Sequence, residues 1–235
     1  EAERAGTAGG SGLTRTEEEA FWSSRPELGF VKAFARSRMA SPWATLGCLL
    51  VRILSQVSPD YVLPKIIGTH ASLNLYVAVV GPSGLGKDAA AGAAEDAYKL
   101  GDVNAWPVGT GEGVVKHFVH FEGDGNGGGQ IVQHETSVVV DVSEVDKMAA
   151  LKDRRGATLM SILREAWTGK QFGFGNAELE RRLRVGAHAY RLGVLVGVQP
   201  GRAQALLSEA EAAGGTPQRF LWMPAVDPDM PEVTP

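Results

Sequence analysis

Leu73-Asn74-Leu75-Tyr76-Val77-Ala78-Val79-Val80-Gly81-Pro82-Ser83-Gly84-Leu85-Gly86-Lys87-Asp88-Ala89 decides the fold of this chain. An apolar, β-branched run enters a glycine-rich turn and leaves it through an alanine-rich segment, so the stretch predicts a strand, a loop and a helix over 89–100. Positions 81–88 follow the pattern G-x-x-x-x-G-K-[ST] everywhere but the last place. Glycines let successive backbone N–H groups turn inward toward phosphate oxygens. The helix N-terminus adds its dipole, and a lysine in this place reaches the β- and γ-phosphates. Gly81, Pro82, Ser83, Gly84, Leu85, Gly86, Lys87, Asp88 and Ala89 are therefore the expected phosphate-binding residues. Asp88 stands where a Ser or Thr hydroxyl would meet Mg²⁺. A carboxylate is also a hard oxygen donor, but it adds negative charge beside a triphosphate. Two readings stay open at this point: a working site with altered metal ligation, or a degenerate site that binds nucleotide weakly.

The 235 residues suffice for one α/β domain with appendages. A hydrophobic share of 44% and a charged share of 21% describe an ordinary globular chain. The net charge of −4 excludes a globally basic nucleic-acid binder, so any DNA contact must be local or arise from assembly. Cys48 is the single cysteine, which rules out a disulfide within one chain, and its apolar setting predicts a buried thiol. Apolar runs are short and interrupted, so the expectation is a cytoplasmic protein without a membrane partner.

Composition divides the chain into a Gly/Ala/Ser-rich tail or linker at 1–13, a helical region at 14–57, an alternating β/α core at 58–224 and a proline-rich tail at 225–235. Pro26 and Pro42 split the helical region, which reads as a cap on the core or as part of an interface between subunits. In the core, strands are expected at 73–80, 106–108, 137–142 and 188–198, with helices at 114–121 and 158–168 and two short strands around the glycines at 123–129. This alternation predicts a mostly parallel sheet with helices on its faces and ligands at the carboxyl ends of the strands.

Ser137-Val138-Val139-Val140-Asp141-Val142-Ser143-Glu144 has the look of a central strand with an acidic tip. Nucleotide hydrolysis needs a metal-orienting acid and a residue that positions water in such a place. Asp141 and Ser143 share a strand face, so either can hold the metal-side position, with Glu144 as the water-positioning base in both registers. Glu112, in Gly109-Thr110-Gly111-Glu112-Gly113, is a rival base; Thr110 and Glu112 equally suit a helix cap. Gln199 closes an apolar strand and can contact the attacking water or the γ-phosphate, or simply form a turn before Pro200. Arg219, after Gly214-Gly215-Thr216-Pro217-Gln218, suits an arginine presented to phosphate, its own or a neighbour's; Arg164 is a weaker candidate of the same kind. The histidines show no zinc spacing. Phe172 and Phe174 fit either core packing or stacking on single-stranded bases.

On three of these segments the chain resembles the P-loop ATPase domain of replication proteins carried by phages, plasmids and prophages, the primase–helicase group. They are the run 72–87, the segment 109–113 and Thr216-Pro217-Gln218-Arg219-Phe220. Glu144-Val145-Asp146-Lys147-Met148 is also similar to the acidic motif of minichromosome-maintenance helicases. The resemblance covers about 63–224. It implies a P-loop NTPase core, recombinase- or AAA+-like, assembled as a hexameric ring that hydrolyses ATP with Mg²⁺ and moves along DNA as a helicase. It further implies that Lys87 binds phosphate, Asp141 holds Mg²⁺ with Asp88 as a variant ligand, Glu144 directs water, Gln199 senses hydrolysis and Arg219 reaches the neighbouring subunit's γ-phosphate. A nucleotide-binding scaffold or regulator with impaired hydrolysis is the alternative.

Overall fold

The computed structural model describes residues 13–66, 68–82, 84, 86–152, 158–176, 178 and 182–232. Residues 1–12 of the expected tail at 1–13, the last residues 233–235 and two members of the glycine loop, Ser83 and Leu85, lie outside them.

Three helices come first: α1 (Arg15–Ser23), α2 (Pro26–Ser37) and α3 (Pro42–Ser55). Thr14 and Glu17 form a reciprocal capping box on α1. Pro26 and Pro42 both open a helix, where the missing N–H of proline costs nothing. A small antiparallel pair, β1 (Val62–Leu63) with β2 (Ala71–Ser72), precedes β3 (Leu75–Val80). Helix α4 (Lys87–Ala97) starts at Lys87, two residues earlier than the alanine pattern implies, and Tyr98 ends it in extended geometry.

Next come the edge strand β4 (Ala105–Pro107), α5 (Gly111–Lys116) and a hairpin of β5 (Val119–Gly123) with β6 (Gly129–Gln133). The helix expected to reach 121 thus stops at Lys116, because Val119 and Phe121 are taken up by the hairpin. Strand β7 (Ser137–Val142), helices α6 (Val145–Lys152) and α7 (Leu159–Trp167), a short pair β8 (Phe172–Gly173) with β9 (Arg184–Val185), and β10 (Arg191–Val198) follow. Helices α8 (Gln204–Leu207) and α9 (Glu209–Ala213) lead to β11 (Phe220–Pro224).

The central sheet has five strands in the order β11-β3-β10-β7-β4, all parallel. This is an α/β architecture compatible with a Rossmann-like or P-loop-like core. Strand β10 is buried almost throughout, as a central parallel strand covered on both faces should be. One face carries Tyr76, Val138, Val140, Leu192, Val194 and Val196 into a core shared with α5, α6 and α7. The other carries Val77, Val79 and Val139 against α3 and α4. Among the described residues no helix is long and apolar enough to cross a membrane.

Helix α3 lies directly on the sheet, and two glycines set its distance. A Cβ at Gly47 would meet Met223 Cγ at 2.8 Å and Val77 Cγ1 at 2.9 Å; one at Gly193 would meet Val51 Cγ1 at 2.8 Å. The residues after β11 fold back onto this layer. Ala225 N donates to Val80 O (2.7 Å), Ser41 Oγ donates to Pro224 O (2.6 Å), and Arg36 donates to both carboxylate oxygens of Asp227 (2.8 and 3.2 Å). At the amino end of β10, the buried guanidinium of Arg191 donates to the carbonyls of Ser58 (2.7 Å) and Tyr61 (2.9 Å) and so ties the chain after α3 to the sheet. A bulkier residue at Gly47 has no room. Gly47→Val should cost about 1–3 kcal/mol by overpacking, read as a lower urea midpoint at an unchanged m-value.

Candidate phosphate-binding site

Strand β3 ends at Val80 and the chain turns over the carboxyl end of the sheet. Gly81 N donates to Val198 O (3.0 Å), which fastens the start of the loop to the tip of β10. Gly84 (φ 77°) and Gly86 (φ 84°) adopt the left-handed region that side-chain-bearing residues avoid. Gly86 also has little room, since a Cβ there would stand 3.2 Å from Ala225 O. Lys87 is the first residue of α4, and its ammonium donates to the Ser143 carbonyl at the tip of β7. Asp88 is exposed in the first turn of α4, where a carboxylate is favoured by the helix dipole.

The registers explain why these groups meet. Gly197 pairs with Val79, and Val196 pairs with both Ala78 and Val142. Ser143 is therefore level with Gly197 and Val79. Asp141, level with Leu195, is recessed by two residues, about 7 Å, on the face that α3 and α4 cover. A small cavity of about 80 Å³ joins them, lined by Cys48, Lys87, Asp88, Asp141, Ser143 and Gly197 among others. Two larger grooves of about 380 and 440 Å³ flank the β5–β6 hairpin and share no residue with it. Those grooves are more spacious, but only the small cavity has a lysine, two carboxylates and a helix N-terminus converging on it.

Asp141 keeps solvent access, yet the cleft walls desolvate its carboxyl and raise its pKa. Asp88 raises it further, while Lys147 and Lys87 lower it. Burial pushes the Cys48 thiol up to about 12, with the Asp141 charge contributing, so this cysteine is a neutral wall of the cavity. Asp88 and Asp141 are hard oxygen donors on one cleft, and a Mg²⁺ ion fits that donor set. Glu144 is exposed between β7 and α6. Lys147 Nζ donates to Ser143 Oγ (2.8 Å) and Lys147 N to Glu144 O (3.1 Å), which folds the acidic segment over the first turn of α6. Gln199 is half-buried just past β10, at the same end of the sheet.

Three expected residues stand elsewhere or are otherwise engaged. Glu112 is ion-paired with Lys116 (2.9 Å), and Thr110 Oγ1 accepts from Gly113 N (3.1 Å), so the segment caps α5. Arg219 precedes β11, whose Phe220 pairs with Tyr76. That is the amino end of the sheet, four strand residues or about 13 Å below the glycine loop. Its guanidinium lies 5.6 Å from the centre of the Trp167 ring and donates to Gly215 O (2.5 Å). Arg219 therefore does not serve the phosphate loop of its own chain. Arg164 is structural: it donates to Glu211 Oε2 (3.0 Å) and Thr216 Oγ1 (3.2 Å) beneath the loop that leads to β11.

Phe172 is buried against Phe118 and Tyr190, which excludes it from stacking on bases. Among the described residues no group of three or more His, Cys, Asp or Glu is placed to hold a metal. Sequence reasoning passed over Gly197 and read Lys147 mainly as a solvated helix start. The signal for Gly197 was present: two glycines four apart in the apolar run Leu192–Val198 mark close approach by another group.

Asp141 carries a stability consequence. A carboxyl whose folded pKa is raised binds its proton more tightly in the fold, so stability falls as pH rises from the ordinary carboxyl value through the raised one. Asp141→Asn should therefore raise the Tm of the nucleotide-free protein at pH 7, and calorimetry should show the gain shrinking as pH approaches the unperturbed value of 3.8.

No protein-family model matches the chain, and no curated protein matches it with significance. The functional reading therefore rests on the geometry around Lys87.

Proposed function

We propose that the chain is a P-loop ATPase module, recombinase- or AAA+-like, that hydrolyses ATP with Mg²⁺. The observation that carries this reading is the meeting of Lys87, at the head of α4, with the acidic segment of β7 across one intervening strand. Adjacent strands lie about 4.8 Å apart, so β3 and β7 are separated by about 10 Å. That gap suits a terminal phosphate with the attacking water beside it.

The roles follow from placement. Backbone N–H groups of the loop and the first turn of α4 bind phosphate oxygens, and Lys87 neutralises the β- and γ-phosphates. Asp141 and Asp88 would hold Mg²⁺, which supplies charge neutralisation and orientation of the phosphates when bound. Glu144, at the solvent-open mouth, positions and deprotonates water, and Gln199 at the tip of β10 contacts the terminal phosphate or that water. Arg219 fits this scheme only if it acts on a neighbouring copy, since it sits at the far end of its own sheet. A ring of identical subunits meets that need. With the resemblance to mobile-element replication proteins, this supports a cytoplasmic, hexameric motor of the helicase type acting on DNA.

Asp88 favours a second reading, a nucleotide-binding scaffold with impaired hydrolysis. Its carboxylate stands near that of Asp141, and two acids repel a triphosphate when no cation lies between them.

Phosphate release separates the two. Lys87→Ala should weaken ATP binding at least 10-fold, and Glu144→Gln should lower turnover at least 100-fold with ATP affinity retained. These magnitudes are on the scale expected for a phosphate ligand and a water-positioning base. Turnover indifferent to both changes rules out hydrolysis at this site. Arg219→Ala should cut turnover about 10³-fold without altering nucleotide affinity, and mixing it with Glu144→Gln subunits should restore part of the rate. DNA affinity of the assembled protein should fall steeply with salt; a salt-insensitive or absent interaction removes DNA from the reading.

A further inference from the structure

Gly197 lies one residue inside the carboxyl end of β10, and the space its missing side chain leaves is taken by Lys87. A Cβ built there would fall on the Lys87 ammonium, 2.6 Å from Lys87 Cδ and 2.5 Å from the Ser143 carbonyl oxygen. Non-bonded carbon contacts sit at about 3.5–4.0 Å, so no side chain is compatible with this arrangement. Backbone conformation does not call for glycine, because Gly197 is not among the residues of positive φ. In a strand interior glycine is instead unfavourable by roughly 0.5–1 kcal/mol relative to alanine. Gly193, one repeat earlier, answers to Val51 of α3 and is explained by helix packing. Gly197 answers to the lysine and to the acidic segment.

The geometry points to Gly197 as a positioning residue for Lys87. The notch it leaves on β10 lets the lysine cross the strand and donate to Ser143 O, tying the phosphate loop to the acidic segment while no phosphate is bound. When phosphate draws the ammonium away, Ser143 O loses that donor and the 143–144 segment is released. Occupancy of the loop is thereby transmitted to Glu144 through one hydrogen bond. This inference rests on the reading of Lys87 as the phosphate ligand.

A double-mutant cycle on binding of a fluorescent ADP analogue with Mg²⁺ tests it. Because the tie exists only in the free protein, Gly197→Ala should tighten binding about 3-fold or more, and adding Gly197→Ala to Lys87→Ala should change affinity by no more than about 2-fold, as expected of residues that act through one another. Gly201→Ala, where a Cβ meets nothing within 4 Å, should bind as the wild type does. Wild-type or weaker affinity in Gly197→Ala, or a change of the same size in the Lys87→Ala background, overturns the proposal. Should Gly197→Ala fail to fold, hydrogen exchange of the nucleotide-free Lys87→Ala protein decides. Amides of 142–146 should exchange several-fold faster than in the wild type, and unchanged exchange overturns the tie. If the wild-type protein binds no nucleotide, the ATPase reading fails, and the exchange comparison still tests the lysine–notch contact on its own.

Discussion

Strand β10 separates β3 from β7 by one strand width on each side, and the distances in the candidate site follow from that spacing. With β10 between them, the glycine loop and the acidic segment are far enough apart to admit a phosphate and near enough for one lysine to span. The span is possible only because β10 carries no side chain where the lysine crosses. An apolar residue at Gly197 would preserve the strand and the hydrophobic face and still block the crossing. The neighbouring Gly81–Val198 hydrogen bond holds the loop to the same strand tip, so β10 fixes both the height of the loop and the path of its lysine.

The two ends of the sheet divide the charged residues by task. At the amino end, arginines hold fixed partners within the chain. Arg191 bonds backbone carbonyls, Arg164 joins Glu211 and Thr216, and Arg219 packs on Trp167. Buried or half-buried cations of this kind need fixed acceptors, and they find them in carbonyls and a buried carboxylate. At the carboxyl end the groups are more open. Lys87, Asp88 and Asp141 line one small cavity, Glu144 is exposed next to Ser143, and the raised pKa of Asp141 records first its desolvation and then the nearness of Asp88. Exposed acidic groups gather at the carboxyl end, which is where a charged ligand would do the most.

The helices before the core share its packing rather than standing apart from it. Helix α3 rests on the sheet through Gly47, and Cys48 on the same helix forms a wall of the small cavity. The segment after β11 closes this layer through Ser41, Arg36 and the Ala225–Val80 bond, and its carbonyl at Ala225 backs Gly86. Residues 183 and 191 positions apart thus meet beside the segment that brings Ala225 against Gly86.

The loop residues, the valine strand, the alternation that makes a parallel sheet and the acidic tip were all legible in the sequence, because each is a local pattern: a period, a glycine run, an acid after an apolar strand. Local reading also left Glu112 open between a base and a helix cap, and Arg219 open between its own phosphate loop and a neighbour's, since both follow glycine-rich turns as Lys87 does. It could not know which end of the sheet a turn belongs to. That depends on strand direction and register, which put Arg219 about 13 Å below the loop. The same limit hid Gly197, whose spacing from Gly193 was visible but whose partner was not. The sequence by itself determined that a glycine-rich loop ending in a lysine and a strand with an acidic tip exist. Only the tertiary structure decided that they face each other across β10, because that relation comes from the order of strands in the sheet and from a lysine reaching over a missing side chain.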